Sequence, residues 1–509
     1  MTKKTSSAIA RPELVFATVA GVGCRLADLE TRLASELADY GYRVSVVSIG
    51  ELLASGSDVP DDLSYGDRVL ALQAEGDKAR SEARDGAMLA RMAIERIREV
   101  RASLTGDADT PADSHAYIVH QLKHPAEVDL LRRVYGPSFH LVAAHASRER
   151  RLQEIQKRIA TARADRGNEH RYAVQAMQIV DGDEPEDDEF GQNTRDTYPK
   201  ADLFVDLEGG AGEKELTRYV RLLFGHPFCT PTPHEYAMYQ AYSVSLRSSD
   251  FSRQVGAAVV QLSRDQLDAK RFSNADIIAV GMNEVPRAAG GFYWDGVSPD
   301  KRDQRLLHDD DDRPSALKEA ILSELLTRLH ELGHLGDAVP PARLAKELVP
   351  RLKGTKLFRI GEFQRMVHAE MAALIDAARR GVAVDGKAMF VTTFPCHNCA
   401  KHIIASGLAE VVFLEPYPKS KAKDLHGEEI AVDEGERRSG DVRVRFISFA
   451  GIGPRRYEQF FSMALRGRTQ GDSLKDWEGK LLTLRPAHIP FFIERAQVAA
   501  ESDALQKSE

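Results

Sequence analysis

Apolar positions along the chain form short runs separated by helical repeats. Residues 14–19 are a largely apolar run of strand length, followed by a small glycine-bearing turn at 20–24. Over 27–40, Leu29, Leu33 and Leu37 recur every four residues, the spacing of one helix face. Gly41 caps that helix, and the valine-rich 43–49 predicts a second strand. Strand, glycine turn, helix and strand open a parallel α/β unit. The alternation continues with a long helix over 77–101, a strand over 116–121, a helix over 125–135 and a strand over 139–144. A basic helix over 148–163, a strand over 201–207 and a closing helix over 214–224 complete the unit. The acidic run 181–189, with its proline, reads as a solvated loop.

A second unit begins near Pro227, with a helix over 231–245 and paired strands over 256–262 and 277–280. Residues 284–360 form a long connection of polar, acidic and helical pieces. Its run Asp309-Asp310-Asp311-Asp312 lacks the glycine and ligand spacing of a calcium loop. Alternation resumes with a helix over 362–380, a strand over 388–394, a helix over 399–406 and a strand over 411–414. The polar residues 498–509 read as a frayed end.

Composition narrows the class. At 509 residues the chain is long enough for two to four domains, and 43% hydrophobic with 29% charged residues is a globular balance. A chain this long buries large cores and needs no disulfide scaffold; two of its four cysteines sit in one CxxC, which suits a reducing compartment with a metal or redox site. No stretch approaches the roughly 20 apolar residues of a membrane span, so a cytoplasmic protein without a membrane partner is expected. A net charge of −8 and 7% aromatics argue against a broad nucleic-acid footprint.

The chemistry concentrates in two short motifs. His368-Ala369-Glu370 opens one helix, and Pro395-Cys396-His397-Asn398-Cys399 opens another after a strand. One imidazole and two thiolates are three zinc ligands, leaving a fourth position for water. The two cysteines stand three apart, so one tight turn presents both sulfurs, and a helix N-terminus helps keep them ionised. Glu370, two residues past His368, can reach the water without ligating and can carry its proton. H-x-E followed by P-C-x-x-C is the signature of zinc deaminases. A purely structural zinc site normally takes four protein ligands, and His397 between the cysteines should point away.

Residues from about 230 to 465 resemble the cytidine and deoxycytidylate deaminase family. Arg247-Ser248-Ser249-Asp250 with Arg253-Gln254-Val255-Gly256-Ala257 resembles its first helix–strand junction. Gly281-Met282-Asn283-Glu284-Val285-Pro286 resembles its strand-end motif, which implies a sugar contact for Asn283. Four further segments are similar to the bacterial anti-phage dCTP/dCMP deaminases. They are Gln121-Leu122-Lys123-His124-Pro125, Gly191-Gln192-Asn193-Thr194-Arg195-Asp196-Thr197, Glu415-Pro416-Tyr417-Pro418-Lys419-Ser420 and Gly451-Ile452-Gly453-Pro454-Arg455.

That resemblance implies an α/β chain with a P-loop-NTPase-like parallel-sheet domain over 11–225. A cytidine-deaminase-like three-layer α/β/α domain would follow over 226–470, with an extension over 471–509. It implies zinc as cofactor, dCTP and dCMP as substrates, a homo-oligomer, and control by a noncoding RNA or a phage-derived trigger. Lys419 and Arg455 are candidates for the phosphate tail. Gly21, Gly23 and Arg25 stand where a nucleotide-binding loop would lie, but Gly21-Val22-Gly23-Cys24-Arg25-Leu26 lacks the lysine and hydroxyl of a working P-loop. His226, Cys229 and His234 cluster without an evident fourth ligand for a second zinc.

Overall fold

A computed structural model of the chain describes residues 11–60, 62–183, 190–208, 212–226, 229–251, 253–261, 275–295, 305, 313–336, 340–352, 355, 363–415, 420–432, 440–462 and 491–506. The fold is mixed α/β and separates into two compact units. The first is Met1–Tyr239 with Val412–Lys421 and Gly427–Glu509; the second is Gln240–Val411 with Ala422–His426. These divisions differ from the sequence boundaries at 225/226 and 470/471.

The first sheet is built from β1 (Leu14–Ala20), β2 (Arg43–Ser48), β3 (His115–His120), β4 (Phe139–His145) and β5 (Leu203–Asp206). A two-residue strand near the C-terminal end, Gly451–Ile452, adds to its edge, giving the order Gly451–Ile452, β5, β4, β1, β3, β2. All pairs are parallel except that last-added one, which runs antiparallel to β5. Central strands β1 and β4 are buried along their whole length, which is why they read as apolar runs without alternation. Leu29, Leu33 and Leu37 of the helix Leu26–Ala38 pack in one core with Phe16, Ile118, Val142 and Val205.

Two expectations are corrected here. The single helix expected over 77–101 is two helices, Tyr65–Ala83 and Met88–Thr105. Arg84 turns left-handed at φ 49°, and the Asp85 carboxylate accepts from Ala87 N at 2.9 Å. Periodicity does not register one left-handed residue between two helical runs. The end expected to fray is instead a helix, Phe491–Gln506, packed on Met88–Thr105. Its Glu494 and the strand-flanking Glu13 share Arg101, with all three side chains fully buried. Arg101 NH1 donates to Glu494 at 2.8 Å, and its NH2 donates to Glu13 at 2.9 Å and to Glu494 at 3.0 Å.

The second sheet comprises β6 (Gly256–Gln261), β7 (Asp276–Met282), β8 (Ala388–Val391), β9 (Glu410–Phe413), β10 (Ile430–Val432) and β11 (Val444–Ser448). Its order is β10-β11-β9-β8-β6-β7, with β6 antiparallel to both β7 and β8. The helix Ala369–Arg379 lies against β6 and β7. Gly281 makes that approach possible: a Cβ there would stand 2.3 Å from Ala373 N and 2.4 Å from Ala369 O. Within 284–360 the helices Arg313–Glu331 and Pro341–Leu352 pack on each other through Leu322, Leu326 and Ala345. The aspartate run 309–312 lies outside the described residues. Among the described residues no helix is long and apolar enough to cross a membrane.

Candidate active site

Two helix starts converge on one point of the second unit. The helix expected over 362–380 begins only at Ala369, because His368 is its N-cap with extended backbone, φ −66° and ψ 154°. Cys396 is the N-cap of His397–Ala405 in the same conformation, φ −70° and ψ 164°, and Cys399 lies in the first turn. The cap carbonyls begin the helices, Ala372 N donating to His368 O and Ala400 N to Cys396 O, each at 2.8 Å. Both helix dipoles therefore present their positive ends to the same spot.

His368 Nδ1 lies 3.4 Å from the sulfur of Cys396 and 3.4 Å from that of Cys399. Zinc bonds of about 2.3 Å to sulfur and 2.0–2.1 Å to nitrogen, at tetrahedral angles, give N···S edges of about 3.6 Å. The three donors thus fit one zinc ion, and they are the sole such His/Cys/Asp/Glu group among the described residues. Nε2 of His368 lies 3.3 Å from Gln364 Oε1, which holds the ring with Nδ1 towards the sulfurs. The cysteine pair shares one proton. The thiol of Cys399 donates to Cys396 and pulls it down to about 4, while the same bond and burial push Cys399 up. A divalent cation would take that proton's place and hold both sulfurs as thiolates.

Glu370 is 3% exposed, in the first turn of the helix that His368 caps. Burial pushes its carboxyl above the usual range, with the negative Cys396 sulfur adding to the rise. The residue to which the sequence assigned the proton-carrying role is thus a buried carboxyl beside the three donors.

Asn283 stands at the end of β7, one residue before Glu284, whose backbone bridges to Val367, the neighbour of His368. Its side chain is largely committed. Oδ1 accepts from Val255 N at 2.8 Å, and Nδ2 donates to Asp250 Oδ2 at 2.9 Å and to Arg253 O at 2.8 Å. Both amide hydrogens are used, so a sugar hydroxyl finds only the second lone pair of Oδ1. Sequence reasoning missed this stapling role, which Asp250 and Arg253 in the neighbouring motif could have signalled. It also missed Arg247, whose guanidinium stacks 3.3 Å over the Trp294 ring.

The other candidates fare differently. Lys419 lies outside the described residues. Arg455 is exposed in the helix Pro454–Phe461 of the first unit. Gly23, at φ +95°, is explained by packing, since a Cβ there would stand 2.6 Å from Arg151 O. Arg25 pairs with Asp28 on the surface, and the carbonyl of Gly21 accepts from Cys24 N at 3.2 Å. Where a phosphate would meet this loop, Val22 N donates to the buried Asp183 carboxylate at 2.7 Å, and Lys123 pairs with the same group. Burial pushes the Cys24 thiol to about 11, so it stays protonated. His226, Cys229 and His234 do not form a metal-holding cluster among the described residues.

Residues 231–415 match the family model for the "Cytidine and deoxycytidylate deaminase zinc-binding region". The deoxycytidylate deaminase of Enterobacteria phage T2 is 46% identical over 55 residues, 11% of this chain and 29% of that protein. The deoxycytidylate deaminase of Mus musculus is 38% identical over 101 residues, 20% of this chain and 54% of that protein. The chain thus matches under a third of the phage protein's length. The solved dCMP deaminase of cyanophage S-TIM5, in complex with dCMP and dUMP, is 18% identical, spanning 44% of this chain and all of that one. Its TM-score is 0.23. The family's zinc-binding region encloses His368, Cys396 and Cys399, and through it the segment 231–415 is placed with the cytidine and deoxycytidylate deaminases.

Proposed function

We propose that the chain hydrolyses the exocyclic amine of a free deoxycytidine nucleotide, converting dCTP to dUTP and dCMP to dUMP. The observation that carries this is the buried Glu370 carboxyl, held beside three convergent zinc donors without being one of them. When bound, zinc supplies the Lewis acidity that makes a nucleophilic water available near neutral pH. Glu370 takes the proton of the attacking water, gives it to ring N3, and later carries one to the departing amine. Nucleotide and water become the uracil nucleotide and ammonia, so the carboxylate ends as it began. His368, Cys396 and Cys399 hold the metal, Gln364 orients the imidazole, and the spare lone pair of Asn283 meets the sugar. Lys419 is the candidate for the phosphate tail.

A second reading keeps the chemistry but makes dCMP the sole substrate; the relatives named deoxycytidylate deaminase favour it. In the dCTP reading, the reaction depletes cytosine deoxynucleotides during phage infection. The domain expected over 11–225 would then control the enzyme in response to an RNA or phage-derived trigger. The Asp183 carboxylate, which accepts from Val22 N of the loop after β1, supports a regulatory rather than a phosphoryl-transfer role. A homo-oligomer is the assembly we expect, and light scattering tests it.

The decisive assay incubates purified protein with dCTP, dCMP, CTP and a cytosine-containing oligonucleotide, reading products by mass. Turnover of dCTP supports the first reading, and dCMP alone supports the second. Turnover of the oligonucleotide alone overturns both. Glu370→Ala should keep zinc and lose turnover; an active variant would show that the proton travels by another route.

A further inference from the structure

The first unit holds a cavity of about 290 Å3 that deamination does not use. Val22, Ser48 and His120 line it, so it opens at the carboxyl ends of β1, β2 and β3. Parallel α/β sheets place ligands in that position. Ile49, Leu53, Leu72 and Leu89 supply apolar lining, and Gln73, Gln121 and Gln192 supply polar lining.

The three amides are poorly satisfied. Gln192 is 5% exposed, and among the described residues its buried oxygen has no partner and its amide makes no hydrogen bond. The oxygen of Gln73 is likewise buried and unanswered, and its nitrogen donates only a long bond of 3.4 Å to Ile179 O. Gln121 has a left-handed backbone at φ 65°, fixed by Gln121 N on Thr18 Oγ1 at 3.0 Å and Leu122 N on Thr18 O at 2.8 Å. Its side chain makes no hydrogen bond among the described residues. Buried amides without partners oppose folding, and backbone strain at non-glycine residues gathers at ligand sites.

Three charged groups of the same lining are already engaged, while Glu51 presents an exposed carboxylate at its rim. His120 is held by Glu30, Lys123 by Asp183, and Arg80 by Glu127. The amide oxygens of Gln73 and Gln192 are the buried polar atoms of this lining that stand without partners, open to a ligand. Val22 N, the nearest phosphate donor, is taken by Asp183.

The geometry points to a nucleobase-binding site. A planar heterocycle enters between the aliphatic side chains and the glutamines, and the amides meet its donor and acceptor edge, as glutamine does with base edges in nucleic acids. Recognition is through the base rather than a phosphate. This site is independent of the zinc reaction, and its test reads binding alone.

The test is calorimetric titration of the full-length Glu370→Ala protein with deoxyadenosine, deoxyguanosine, deoxycytidine and thymidine in turn. At least one nucleoside should bind, and Gln192→Met, which keeps the side-chain length and removes the amide, should weaken that binding at least tenfold. Without nucleoside, Gln192→Met should melt no lower than its parent, since no hydrogen bond is lost. Absence of binding by all four overturns the proposal. So does an isotherm unchanged by both Gln192→Met and Gln73→Met, which would place the ligand elsewhere. A Gln192→Met protein that melts lower on its own would mark the amide as structural and overturn it too.

Discussion

The substitution Asn283→Asp separates a loop staple from a sugar contact. It keeps shape and the Oδ1 acceptor, but turns the donor facing Asp250 Oδ2 at 2.9 Å into a second anionic oxygen. At an effective dielectric of about 20, two unit charges at that distance repel by about 6 kcal/mol. The pair need not bear all of it, because the introduced carboxyl can take a proton. From a reference pKa of about 3.9, protonation costs about 4 kcal/mol at pH 7 and about 1.5 kcal/mol at pH 5. The cheaper route sets the penalty, so the variant should lose about 4 kcal/mol relative to its parent at pH 7 and about 1.5 at pH 5. The sign follows from a folded-state pKa raised above the unfolded one. The folded state holds the extra proton, so its relative stability falls as pH rises towards the folded pKa. Urea denaturation of variant and parent at pH 5, 6 and 7, compared at each pH, measures the difference. Asn283→Ala, which removes the bonds without adding charge, should show a difference that does not vary with pH. A pH-independent penalty for Asn283→Asp, or none, would refute the staple. Retained stability with a raised KM would leave the sugar contact as the residue's main role.

Other outcomes follow from the same geometry. Cys396→Ser should release zinc to a chromogenic chelator, whereas Glu370→Gln should retain it while turnover falls by roughly 100- to 10,000-fold. Gly281→Ala forces a methyl against the backbone of the helix bearing Glu370; it should cost about 1–3 kcal/mol in denaturation and lower zinc affinity in competition titrations. Arg101→Met strands two fully buried carboxylates and should cost about 3–5 kcal/mol, with limited proteolysis then cutting near Phe491–Gln506.

The sequence exposed the zinc centre because its chemistry is local: His368 with Glu370, and Cys396 with Cys399, each sit within one helical turn. The central strands were equally legible, since β1 and β4 are buried throughout and carry no polar alternation. What stayed hidden depends on distant partners. Asn283 carries only an implied sugar contact until Asp250, Arg253 and Val255 are brought to it. Residues 498–506 look polar and terminal, yet they continue a helix whose Glu494 answers an arginine 393 positions away. Gly23 suggests a phosphate loop by composition, while the packing of Arg151 against it explains the glycine.

That pairing across nearly the whole chain bears on biosynthesis. Arg101 and Glu13 emerge from the ribosome well before Glu494 and the edge strand Gly451–Ile452, Glu494 following Arg101 by 393 positions. The N-terminal part is thus translated with a buried ion network incomplete and a sheet edge open, while the zinc-binding segment is made in between. Folding of the first unit cannot finish until Glu494 has been made, and a nascent chain halted before it should depend on chaperones.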